Sequence, residues 1–416
     1  MRHILGIFFF SILLFAGDAT IEVVKKADSI ASIAVEDATA SFETKASRLF
    51  FNNIVSDLNV LSLFNVERKH TATNYANETV LDENKQFDYV LRYRLQKDDT
   101  GKITVDFKII YNNEVMMEKI YKTAKPELLV FVSHAIAYDI NEKMGAPSVD
   151  WMKKKVIFSK LTSPGRSEIV IGDYTLTYQH TMIKGALNIF PQWANDKQDS
   201  FYYTSLSDGI PTLYLMDASS GSKKKIISSD GMLVCSDVSS DGKRLLLTMA
   251  PSGQPDIYLY NTLTKANKRI TTYSGIDVNG QFMEDEKIAF VSNRLGYPNI
   301  FSKKLSGGNV EQMVHYGKSN AACSAHNEYI VYKSRESDNA FEHNTFNLHL
   351  ISTKTDFIRR LTATGINEYP RFSSSGDTII FIKNYKQQSS IGILRLEQNK
   401  SFLFPLKIGK LQSIDW

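Results

Sequence analysis

A unit of about 45 residues recurs through the C-terminal two-thirds of the chain, the period of a propeller blade. The first copy runs from Pro191-Gln-Trp193 through Phe201–Thr204 to Pro211–Asp217. The second has Val238-Ser239-Ser240-Asp241-Gly242, Leu245–Thr248 and Pro255–Tyr260. The third has Phe282–Asp285, Ile288–Arg294 and Pro298–Phe301. The fourth is degenerate: Cys323–Asn327 has no Asp-Gly turn, and residues 336–345 are inserted before Phe346–Leu350. The fifth has Pro370–Gly376, Ile379–Ile382 and Ile391–Leu394. Each copy offers four short apolar strands separated by turn signals. One such sheet cannot bury both faces, whereas sheets stacked radially bury one another and leave only short edges.

The phase of the repeat predicts how the ring closes. Val156–Phe158, Glu168–Ile171 and Thr175–Tyr178 read as three strands lacking an inner strand, and Ser413–Trp416 matches the inner strand around Trp193. One blade split between the two ends of the domain gives six in all. The expected fold is thus a small α/β N-terminal domain plus an all-β, six-bladed β-propeller with a split, clasped blade. A β-sandwich array is the alternative, and it leaves the incomplete terminal units unexplained.

The formal net charge of +4 and short runs such as Lys153–Lys155 and Lys223–Lys225 make no case for nucleic acid. Arg2 and His3 precede an unbroken apolar stretch, Ile4–Phe15, with small residues at Ala16, Gly17 and Ala19. This has the layout of a secretory signal cut between Ala16 and Thr20, with an uncleaved anchor as the alternative. Residues 1–19 are read as signal peptide, 20–145 as the N-terminal domain, 146–155 as linker and 156–416 as propeller. The expected product is an exported, soluble monomer not inserted in the membrane. Cys235 and Cys323 fall at similar places in the second and fourth repeats, and blades two apart are expected to keep them as separate free thiols.

In the N-terminal region, Ile21–Val35 contains strand-like runs and Ser41–Leu58 has helical apolar spacing. Asn59–Val66, Tyr89–Leu95, Ile103–Tyr111 and Met116–Tyr121 read as strands. Pro126 opens a helix with Leu128, Leu129, Val132, Ile136, Ile140 and Met144 on one face, ended by Gly145 and Pro147.

With the Ser292-Asn293-Arg294-Leu295-Gly296-Tyr297-Pro298-Asn299-Ile300-Phe301 segment and the Pro-x-Trp-like turns at Pro191, Val238 and Pro370, this organisation resembles the TolB family, the periplasmic propeller proteins of the Tol-Pal system. The resemblance implies a scaffold, not an enzyme. It would bind the peptidoglycan-associated lipoprotein Pal at the channel mouth and a TolA-like inner-membrane partner through the mature N-terminus. Its role would lie in outer-membrane integrity and constriction at cell division. Matching the motifs places the Pal-like site at Met232, Leu233, Val234, Cys235, Asp277, Val278 and Asn279. Further mouth residues would be Leu187, Asn188, Ile189, Ser319, Asn320, Ala321, Asn367, Glu368 and Tyr369. The TolA-facing segment would comprise Thr20, Ile21, Glu22, Val23 and Val24.

Enzyme signatures are weak. No Gly-x-Ser-x-Gly elbow or Walker loop occurs, and the eight histidines are scattered. His343 and His349 lie six apart, which is not a helical zinc spacing. Asp196, Asp241 and Asp285 recur at turns, where they are expected to bond the backbone. No cofactor, metal or catalytic residue is expected; a channel cation stays open. The alternative function is a periplasmic propeller lyase or hydrolase acting on a glycan or peptide in the channel.

Overall fold

A computed structural model describes residues 30–416, except Asp285 and Asp356. The expected signal peptide, the TolA-facing segment and the Asp285 turn lie outside these residues.

Two helices cover one face of a mixed sheet in the N-terminal domain. Strand Ala31–Asp37 pairs in parallel with Phe64–Val66, Thr71–Ala72 and Tyr89–Lys97. Ile103–Tyr111 and Glu114–Thr123 follow as antiparallel hairpins. Helix α1 (Thr44–Leu61) runs three residues past the helical stretch read from sequence, so Asn59–Leu61 is helix, not strand. Its apolar face carries Phe50, Ile54, Leu58 and Leu61 into the core, and that burial outweighs the local strand signal. Ser62, at φ 62°, ends it in the left-handed conformation. Pro126 opens a short 3-10 turn, followed by α2 (Leu129–Lys143).

The remaining strands form four-stranded antiparallel units. Their inner strands are Asn188–Trp193 (unit 1), Leu233–Val238 (unit 2), Asp277–Phe282 (unit 3), Asn320–His326 (unit 4), Ile366–Phe372 (unit 5) and Lys410–Asp415 (unit 6). Units 4 and 5 join into one sheet through a parallel pair at Phe346 and Ile366. In unit 6, Lys410–Asp415 pairs with Val156–Ser163, which pairs with Arg166–Gly172 and then Gln179–Ile183. The fourth strand of unit 6 is therefore Gln179–Ile183, while residues 175–178 form a turn in which the Asp173 carboxylate accepts from the Thr175 and Tyr178 N–H groups. Hydrogen bonds tie adjacent inner strands together. Phe282 N donates to Asp237, Cys323 N to Asn279, Phe372 N to Ser324 and Trp193 N to Asp415. The degenerate fourth unit keeps four strands, and its insertion lengthens the hairpin Tyr329–Asp338/His343–Ser352.

One hydrophobic core runs from the α/β domain into units 5 and 6, through residues such as Phe107, Ile136, Trp151, Phe158, Ile382 and Ile414. Within it sits a fully buried polar cluster. His134 of α2 faces Asp57 of α1 through Nδ1 (2.9 Å) and Asp173 of the propeller through Nε2 (3.3 Å). Ser133 and Tyr174 donate to Asp57, Thr175 donates to Asp173, and the Tyr174 ring stacks on the imidazole at 4.4 Å. Burial works against the imidazolium, but Asp57 and Asp173 outweigh it and hold the His134 pKa up at about 9. Among the described residues no helix is long and apolar enough to cross a membrane.

Candidate functional site

The six inner strands start at the same end of the ring, and a cavity of about 200 Å³ opens there. Every unit contributes: Phe190, Val234, Val278, Ala322, Tyr369 and Ile414 line it from units 1 to 6 in turn. The local backbone makes this possible. Each inner strand carries a register shift near its second to fourth residue. A bulge of this kind inserts an extra residue and re-aims the side chains beyond it. At four of the six shifts a non-glycine residue adopts positive φ: Phe190 (52°), Asn279 (56°), Ala322 (47°) and Tyr369 (51°). Such backbone costs on the order of 1 kcal/mol or more per residue, and here it is concentrated around one cavity.

Arg371 forms the floor. Its guanidinium donates to Gln281 Oε1 (2.7 Å), Gln192 Oε1 (2.9 Å) and the Ser236 carbonyl (3.1 Å), bridging unit 5 to units 1, 2 and 3. Asp237 is only partly buried, but atoms of the inner strands surround it. That desolvation pushes its carboxyl up to about 6, with Arg371 pulling the other way. Asp415 is raised for the same reason. Both carboxylates accept backbone N–H groups of neighbouring inner strands, so they act as latches. Among the described residues no cluster of three His, Cys, Asp or Glu could hold a metal ion.

Both cysteines are free and buried. As expected they are separate free thiols, and both line this cavity, Cys235 from unit 2 and Cys323 from unit 4, because inner strands converge on the channel. Burial pushes the Cys323 thiol up to about 12 and that of Cys235 higher still, so both are neutral and weakly reactive.

Of the residues singled out in the sequence, Met232, Val234, Cys235, Val278, Asn279, Ala321 and Tyr369 meet around the cavity. Others turn away from it. Leu233 is packed in the core between units. Asp277 is buried and accepts Arg294. Asn188, Asn320 and Asn367 are also buried, each tying its incoming loop to itself: Asn188 Nδ2 reaches Ala186 O (3.0 Å), Asn320 Nδ2 reaches Tyr316 O (2.9 Å) and Asn367 Nδ2 reaches Thr364 O (3.0 Å). These side chains shape the mouth from behind, which corrects their expected place on its surface. Leu187, Ile189 and Ser319 are half-buried, and Glu368 is paired with Lys333 at 2.9 Å. Of the recurrent aspartates, Asp241 caps its turn through Ser239 Oγ and Lys243 N. Asp196 contributes only its carbonyl, to Lys154, and Asp199 does the capping in unit 1. Phe190, Ala322, Pro370 and Arg371 line the cavity but were missed from sequence. The Pro-x-Trp-like motifs at Pro191 and Pro370 were the available signal, since they mark the bulge.

The profile of the TolB beta propeller domain matches residues 150–416. A Tol-Pal system protein TolB of Wolinella succinogenes is 48% identical, covering 97% of each chain. Another, from Helicobacter hepaticus, is 40% identical over the full length of both. The crystal structure of TolB from Acinetobacter baumannii superposes with a TM-score of 0.74 at 19% identity, covering 92% of this chain and 96% of that one, which speaks for the fold. These relatives are named as a Tol-Pal component and not as an enzyme. With the family profile spanning the propeller and close relatives spanning the whole chain, this protein belongs to the TolB family of the Tol-Pal system.

Proposed function

We propose that this chain is a periplasmic scaffold of the Tol-Pal system. It binds a Pal-like, peptidoglycan-associated lipoprotein at the channel mouth and a TolA-like inner-membrane protein through residues 20–24. In this role it supports outer-membrane integrity and constriction during cell division. The observation that carries the reading is the mouth cavity: open, lined mainly by apolar and small polar groups from all six units, and floored by an arginine that already donates to Gln281, Gln192 and the Ser236 carbonyl. Concentrated apolar surface of this kind suits contact with a protein partner. Catalysis would instead call for titratable groups poised toward the channel.

The test is Val278→Arg, which puts a charge into the wall of the cavity. Burying it unpaired beneath a partner costs several kcal/mol. Binding of the soluble Pal-like domain, measured by calorimetry, is expected to weaken by about a hundredfold or more. The variant should melt close to the parent, because Val278 is only partly buried. Unchanged affinity in a folded variant would remove the site. Turnover of an envelope glycan or peptide by the parent protein would move the reading to a channel enzyme.

A further inference from the structure

The strands beside the inner strand differ in length between units. In units 1, 2 and 3 they have six residues each, and in unit 4 they have ten. The extra length lies at the mouth end. Pairing starts at Tyr329 and Ser352 on the far side, passes the inner strand at Ser334, and ends at Asp338 and His343. Four residues beyond Ser334 raise the hairpin by roughly 13 Å at the usual rise of a strand.

This wall is braced. Asn339 Nδ2 lies 2.8–3.1 Å from Glu336 Oε2, Thr345 Oγ1 and the Ala363 carbonyl. Gly365 N donates to Glu342 Oε2 at 2.7 Å, and the parallel pair at Phe346 and Ile366 fixes the hairpin to unit 5. At its tip Phe341 is 67% exposed. It is not alone: each unit leaves an exposed large apolar side chain at this end, namely Ile210, Met232, Ile276, Phe341, Tyr385 and Ile408.

Resting on the reading of the mouth as the lipoprotein site, we infer that the unit 4 hairpin is the side wall of that docking face. Phe341 packs against an apolar flank of the same folded domain whose tip fills the cavity. Three features favour this occupant. The apolar ring is continuous with the cavity, since Tyr369 lines the cavity on the strand that Ile366 begins. The bracing holds the hairpin ready, so little ordering cost is paid on association. The face is concave: a wall standing roughly 13 Å above the rim keeps the other ring members from reaching a flat lipid surface together.

Two variants test the inference against Val278→Arg. One is Phe341→Ser; the other replaces residues 337–344 with an Asn-Gly turn. Melting curves for both should stay near the parent's. By calorimetry with the soluble Pal-like domain, Phe341→Ser is expected to raise Kd about tenfold and the shortened hairpin further. Parent-like affinity of both folded variants, with Val278→Arg still abolishing binding, overturns the wall and leaves the mouth site standing. Parent-like affinity of Val278→Arg as well overturns the mouth site and the wall with it. Sedimentation of the parent with phosphatidylglycerol vesicles, lost in Phe341→Ser, would assign the ring to lipid and overturn the inference.

Discussion

At His134 a titratable ring is closed off from water between carboxylates of the two domains. The groups facing it are Asp57 from α1, Asp173 from the propeller and the Tyr174 hydroxyl, which donates to Asp57. A pKa raised from 6.5 to about 9 means the folded state holds this proton more tightly than the unfolded chain. The stabilisation is thus complete below pH about 6.5 and is lost as pH rises through about 9, on the order of 3 kcal/mol in all. Urea unfolding between pH about 6 and about 10 should show this loss in the parent and a flatter alkaline limb in His134→Gln. At neutral pH that variant should lose about 3–5 kcal/mol, because two buried carboxylates are left without their cation. Equal alkaline slopes in the two proteins would contradict the pairing. Nothing in the sequence pointed to this cluster: its members are 57, 134 and 173 residues along the chain, on elements that only packing joins.

Turns and bulges divide the roles among the strands. Gly242 and Gly376 close equivalent hairpins at φ 69° and 77°, so either substitution by alanine meets left-handed backbone costing about 1 kcal/mol. Their surroundings differ. A Cβ on Gly242 would approach the Ala194 carbonyl at 3.3 Å, whereas on Gly376 it would sit 2.2 Å from the His326 ring of the neighbouring unit. Gly376→Ala should therefore destabilise the protein more than Gly242→Ala, by about another 1–3 kcal/mol in urea unfolding. His326→Ala should recover part of the difference, and no recovery would mean that the contact between units does not set the cost. The hairpins themselves were legible as Asp241-Gly242 and Ser375-Gly376, since few residues tolerate such turns. The bulges were less so. Their positive-φ residues include Phe190 and Tyr369, types with no preference for that conformation, which the ring imposes.

The α/β domain and units 5 and 6 share one core, and Arg395 of unit 5 reaches the Val60 and Leu61 carbonyls at the end of α1 (3.5 and 3.4 Å). Calorimetry should accordingly give a single unfolding transition for the whole chain, with a van't Hoff enthalpy matching the calorimetric one. Separate melting of the N-terminal domain would mean that the shared core does not couple the two. The clasp works at the same level: the Trp416 ring packs tilted against Trp151, centroids 5.4 Å apart, and its indole N–H donates to the Phe372 carbonyl, linking the split unit, unit 5 and the segment between domains.

Local chemistry was enough to establish the repeat, the strand and turn pattern, the split unit and the two helices. These follow from apolar periodicity and turn residues, which act over a few positions. Seven of the residues it singled out line the cavity, because each lies within a few residues of a readable loop. Which side chains face the cavity depends on the bulges: Asn320, before the register shift, is buried, whereas Ala322, within it, lines the channel. The arginine floor, the cavity shared by Cys235 and Cys323 and the buried His134 cluster all depend on residues far apart in the chain. Closure of the ring and docking of the two domains put them together, through burial that no local pattern encodes.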